Sequence, residues 1–188
     1  MSVFEFIMVM VSVILALALA QLLRALTEIP TNAKPYWVHS AWVGVIAFIV
    51  IQTWWGYWDL TQVETWTFLS YLIVLFIPVA WFVLAHLLVP AARNQDTDWR
   101  AHFFQVARWF FLFFCLSAIV ATLMTWTLLG APLLHPYRAF QATSSVILLT
   151  GVFVSSHRSH SWLLVLFITV MLASQVVIRM NLGALVAK

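Results

Sequence analysis

Three long, predominantly apolar runs, Val3 to Leu23, Trp37 to Trp55 and Trp66 to Val89, constrain this chain more than any other feature. At about 1.5 Å of rise per helical residue, each is long enough to cross a hydrocarbon layer of about 30 Å. Inside hydrocarbon a backbone must satisfy its own N–H and C=O groups, so each run is predicted to be a helix. Of the 188 residues 64% are apolar and 8% charged, whereas ordinary soluble domains carry roughly 25% charged residues. Lipid is the solvent that such a surface needs.

The predicted fold class is all-α, a polytopic transmembrane bundle forming one domain. Six spans are expected, at about 3–26, 36–57, 66–89, 104–129, 139–155 and 161–178. The fifth is short and rich in Ser and Thr, so a re-entrant segment leaving five spans is the alternative. The first run exceeds a signal-peptide core and has no basic residues before it, and it is read as a retained span. Arg24, Lys34, Arg93, Arg100, Arg108 and Arg158 fall on one side of this topology, and Arg138, Arg179 and Lys188 on the other. That excess predicts both termini outside.

Several functions lack their residues. The nine Lys and Arg form no basic stripe, so nucleic acid is not an expected partner. Cys115 is the single cysteine, which leaves no intrachain disulfide and no paired-thiol chemistry. No Lys lies in a span for a retinal Schiff base, and no potassium-filter sequence or regular Arg series is present. Neither a glycine-rich phosphate loop nor a His-Glu-x-x-His motif occurs.

Small and polar residues commonly mark contacts between helices in lipid. On this basis Glu5, Ser12, Ala16, Ala20 and Arg24 are expected to turn the first helix towards its neighbours. In the fourth helix Gln105, Arg108, Cys115, Ala118, Thr122 and Thr125 form the corresponding stripe, leaving Phe110, Phe113, Phe114 and Leu116 for lipid. Gln141, Ser144, Gly151 and Ser155 share a face of the fifth. Pro78 removes a backbone hydrogen bond in mid-span and predicts a kink. The eleven Trp residues gather where spans end, as interfacial belts.

Arg108 with Gln105 is the best inward polar site, and Gln21 and Arg24 are the other solute-facing candidates. Arg24 also stands four residues before Glu28, the spacing of an ion pair within one helix. His39, His86 and His102 fall at similar depth on one side and are candidate ligands for a haem b, although each residue type is also inexpensive at a membrane boundary. His157 and His160 are expected in a solvated loop, without partners to complete a zinc set.

The opening Phe4-Glu5-Phe6-Ile7, the run Ala18-Leu19-Ala20-Gln21-Leu22-Leu23-Arg24-Ala25-Leu26 and Gln52-Thr53-Trp54-Trp55 at the end of the second helix carry a resemblance. The chain resembles, over about its first third, a family of small uncharacterised bacterial multi-pass proteins. The resemblance implies a bacterial inner-membrane location and no activity. Apart from that resemblance, the polar stripes of the first, fourth and fifth helices and the lack of a soluble domain lead to the expectation of a non-enzymatic bundle that binds or conducts a small solute as a homo-oligomer, with no cofactor. A membrane redox subunit carrying haem b and an accessory or sensor subunit with a membrane-protein partner are the alternatives.

Overall fold

The computed structural model describes residues 2–31, 34–89, 97–131 and 136–176. Among them it contains six α-helices and no strand. Four of the six helices begin at a side chain that accepts from free backbone N–H groups. Ser2 and Glu5 form a reciprocal cap at the start of α1, Val3–Glu28, and Thr67 and Ser70 do the same for α3, Phe68–Leu88. Asp98 accepts from the backbone of Arg100 and Ala101, so α4, Trp99–Leu129, starts five residues before the expected 104. It ends at Gly130, whose φ of 62° is the left-handed conformation that glycine adopts without a Cβ clash.

α2, Trp37–Gly56, continues into a 3-10 helix at Tyr57–Gln62. α5, Pro136–Phe153, opens on a proline, whose missing N–H costs nothing in a first turn. Ser156 caps α6, His157–Ser174. The short loop expected to hold His157 and His160 is therefore corrected: both belong to the first turn of α6, and His160 is fully buried. Arg93, Arg179 and Lys188 lie outside the described residues.

Four segments are long and apolar enough to cross a membrane: Val3–Glu28, Trp37–Gln62, Phe68–Leu88 and Trp99–Leu129. α5 and α6 have 18 residues each but are diluted by Ser, Thr, Gln, Arg and His. The helices close a ring in the order α1, α3, α4, α5, α6, α2, with α2 also touching α3 across the middle. Large apolar side chains such as Phe6, Leu69, Trp109, Phe153 and Trp162 cover much of the exterior.

The core is aromatic at its centre. Trp42 of α2 is fully buried, with the rings of Phe110, Phe111, Phe114 and Phe167 at centroid distances of 5.5, 5.4, 6.2 and 5.3 Å. Three of the four contacts with α4 and α6 are edge-on, the arrangement the ring quadrupoles favour. Gly151 of α5 lets that helix approach so closely that a Cβ there would stand 2.7 Å from the Phe111 ring.

Two expected helix orientations are corrected by this core. Phe110 and Phe114 face inward, not towards lipid, while Gln105, Arg108 and Leu116 are exposed. On α1 the buried face is Ile7, Val11, Leu15, Ala18, Leu22 and Ala25, and Glu5, Ala16, Ala20 and Arg24 point outward. Close contact between broad apolar side chains supplies more dispersion attraction than a stripe of small polar ones, and it sets the rotation of both helices.

Pro78 leaves the Val74 carbonyl, four residues earlier in α3, without its helical N–H donor. The hydroxyl of Tyr57 donates to that oxygen at 2.7 Å from a fully buried position at the end of α2. One turn along, Trp81 Nε1 donates to Thr53 Oγ1 at 2.9 Å. The proline is thus a joint between two helices.

Candidate functional site

The two ends of the bundle have different chemistry. At one end, the last carbonyls of α3 receive side chains from three other helices. His39 Nε2 of α2 donates to Leu88 O at 2.8 Å, and His102 Nε2 of α4 to Leu87 O at 3.0 Å. Gln21 Nε2 of α1 donates to Val89 O and lies 3.5 Å from Ala85 O. A helix leaves its final four C=O groups without intrahelical donors, and here imidazole and amide N–H groups take that place.

The ring of His39 stacks on buried Trp99 at 4.8 Å and meets His102 edge-on at 6.0 Å. His86, by contrast, is exposed on α3. His39 and His102 are therefore brought together and His86 is turned away. Iron coordination by Nε2 of either paired ring would cost a carbonyl hydrogen bond, and among the described residues no group of three or more His, Cys, Asp or Glu is arranged to hold a metal ion.

Two more histidines tie α6 into the same end. His157 Nδ1 and the Tyr36 hydroxyl share a hydrogen bond of 2.7 Å, and His160 Nε2 donates to Val154 O at 2.9 Å while stacking on Phe111. Replacing His39 with leucine is expected to leave the buried Leu88 carbonyl unpaired and to lower stability by about 1–3 kcal/mol. Denaturation in mild detergent followed by circular dichroism measures this. A loss equal to that of a substitution at exposed His86 would show that the cap contributes nothing.

The opposite end contains a half-open cavity of about 180 Å³. Its walls come from the C-terminal parts of α2, α4 and α6, the middle of α3 and the first half of α5. Gln52, Thr53, Ser117, Thr125, Gln141 and Ser144 present polar atoms among Trp81, Phe140, Phe167 and Met171. Among the described residues no Asp, Glu, Lys, Arg or His lines it. Gln52 and Ser144 have no hydrogen-bond partner among the described residues, so their capacity is open to a guest or to water.

Arg138, three residues into α5, stands in the wall behind this lining. It donates to Thr125 Oγ1 and Gln141 Oε1, both at 2.8 Å, to Thr122 O at 3.3 Å and to Ala131 O at 3.2 Å. These bonds fasten the end of α4 to the start of α5 and fix the Gln141 amide at the cavity.

The inward polar site expected at Arg108 and Gln105 is corrected: both side chains are exposed. Arg24 is exposed as well, with its Nε on the Glu28 carboxylate. Gln21 is half-buried but serves the α3 carbonyls. Gln141 and Ser144, which shared a face in the sequence, do line the cavity, and Ala118 and Thr125 join them from α4. The contributions of Gln52 and Tyr57 had no distinguishing sequence signal beyond their place near the end of an apolar run.

The described lining supplies hydrogen bonds from amides and hydroxyls and van der Waals contact from aromatic and aliphatic side chains. The volume is comparable to the ~150 Å³ apolar cavity that admits one benzene. Among the described residues, fold and site define an all-helical bundle, with four helices long and apolar enough to cross a membrane and a small cavity at one end lined by neutral polar and aromatic side chains. Comparison with known proteins finds no matching family model, no similar curated protein and no similar solved structure.

Proposed function

We propose that this chain is a six-span protein of the bacterial inner membrane that binds a small uncharged solute in the cavity and passes it across the bundle. The observation that carries the reading is a cavity whose described lining offers open hydrogen-bonding capacity from neutral amides and hydroxyls, enclosed by helices whose outer surface is apolar. A polar concavity among apolar helices is expensive to keep unless something polar fills it. In this reading α5 and α6 also cross the bilayer, covered on their polar sides by α4 and α2. Among the described residues Arg24, Lys34, Arg100, Arg108 and Arg158 stand towards the histidine end and Arg138 at the cavity end, and with Arg179 and Lys188 counted on the Arg138 side the sequence excess still favours a cytoplasmic histidine end and both termini outside.

The test is solute entry into proteoliposomes, followed by light scattering with glycerol and urea. The protein is expected to raise the entry rate of at least one of them above that of empty vesicles. Ser144→Trp, which fills the cavity from α5, is expected to return the rate to the empty-vesicle value. Equal rates with and without the protein for both solutes would overturn the reading.

A further inference from the structure

A second concavity lies on the outside of the bundle, between α4 and α5, with a volume of about 480 Å³. α4 lines it with positions 119, 122, 123 and 126, and α5 with positions 138, 141, 142 and 145. Both sets follow the i, i+3, i+4, i+7 spacing, so the groove is one helical face laid beside another and runs for about two turns, or ~10 Å. The two helices are antiparallel: Trp126 and Arg138 lie together at the cavity end, and Ile119 and Ser145 lie deeper. Ile119, Leu123 and Trp126 are 57%, 41% and 50% exposed, which leaves an apolar track open from the side.

The shallow end of this track carries a positive charge held in place. All four acceptors of the Arg138 guanidinium are neutral oxygens, and no carboxylate among the described residues lies within ion-pair distance. The connection from Gly130 to Pro136 contains no Asp or Glu in its sequence. A cation fastened in one orientation beside an apolar surface is compensated best by an anion brought from outside the protein, and it attracts one more strongly than a mobile surface charge does.

We propose that the groove binds an acyl chain of an anionic phospholipid whose phosphate pairs with Arg138. The chain lies along Ile119, Leu123 and Ala142, and the headgroup sits at the junction of the last turn of α4 and the first turn of α5. Trp126, with its amphipathic indole, borders the transition from chain to headgroup. The inference rests on α4 and α5 crossing the bilayer but not on any solute in the cavity. Gln141 lines both concavities and accepts from Arg138, so a bound lipid would also stiffen the cavity wall.

The experiment uses the full chain in nanodiscs of equal phosphatidylglycerol and phosphatidylcholine with matched acyl chains, followed by native mass spectrometry of the retained lipid. Retention is expected to favour phosphatidylglycerol about tenfold, the ratio one charge-assisted pair supplies. Arg138→Gln is expected to abolish the preference, and Arg108→Gln, at the other end of α4, to preserve it. Ala142→Trp fills the groove without touching the guanidinium and is expected to remove the retained lipid, and it decides the matter if Arg138→Gln fails to fold. Equal retention of the two lipids by the unaltered protein, or an undiminished preference in both the Arg138 and Ala142 variants, overturns the proposal. So does displacement of the lipid by soluble glycerol phosphate at equal concentration, because the apolar track would then contribute nothing. Loss of the protein from phosphatidylcholine nanodiscs on alkaline washing is a separate failure, that of the membrane-spanning reading itself.

Discussion

Trp42→Ala is expected to lower the stability of the bundle by about 3–5 kcal/mol, the range for removing a large aromatic side chain from a packed core. Trp42 is fully buried and touches rings from two other helices, so its loss opens a void between α2, α4 and α6. Lipid cannot refill a space enclosed on every side, and the lining loses its dispersion partners outright. Trp42→Phe is expected to cost much less, because the indole Nε1 has no hydrogen-bond partner among the described residues to forfeit. Trp109→Ala on the exterior, where the side chain is 57% exposed, is expected to stay within about 0.5 kcal/mol. Titration with sodium dodecyl sulfate, followed by circular dichroism, ranks the three. Equal losses for Trp42→Ala and Trp109→Ala would mean that the aromatic cluster does not hold the helices together.

The second large effect is a coupling. Tyr57→Phe removes the donor to Val74 O and leaves a buried carbonyl unsatisfied, at an expected cost of about 1–3 kcal/mol. Pro78→Ala returns an N–H to the position from which a regular helix would serve that same oxygen. In the Pro78→Ala background, Tyr57→Phe is therefore expected to cost only a small fraction of its value in the unaltered chain. The double-mutant cycle cancels the effect of proline on the unfolded chain, which appears on both sides. Strict additivity of the two substitutions would show that the tyrosine and the proline act independently.

The helices themselves were legible. The long apolar runs marked them, whereas the caps at Asp98 and Ser156 went unread, which is why α4 and α6 begin five and four residues before their expected starts at 104 and 161. Which way each helix turns was not. In α1 and α4 polar residues were assigned to the interior and aromatic ones to lipid, and the structure reverses much of this. The physical reason is visible in the hydroxyls. Exposed Thr143, Thr150 and Thr169 each donate to the carbonyl four residues earlier, and Ser12 does the same from a half-buried position. A Ser or Thr satisfied by its own helix has no need of the interior, so its position along the sequence does not report which face is inside.

The histidines show the same division. Their placement near helix ends was readable from the apolar runs, and so was their common side of the bundle. Their partners were not, because the free carbonyls of a helix end become available to whichever side chain the packing brings near. His39, His102 and Gln21 meet the end of α3 from helices that are distant in sequence, 49, 15 and up to 68 residues away. The cavity likewise needs five helices and has only its α5 face written in one stretch of chain. By itself the sequence determined that the chain forms long apolar helices, because composition and the length of the apolar runs decide that. The tertiary structure alone decided helix rotation, the partners of His39, His102 and His157 and the neighbours of Arg138, because these depend on the close approach of side chains from different elements.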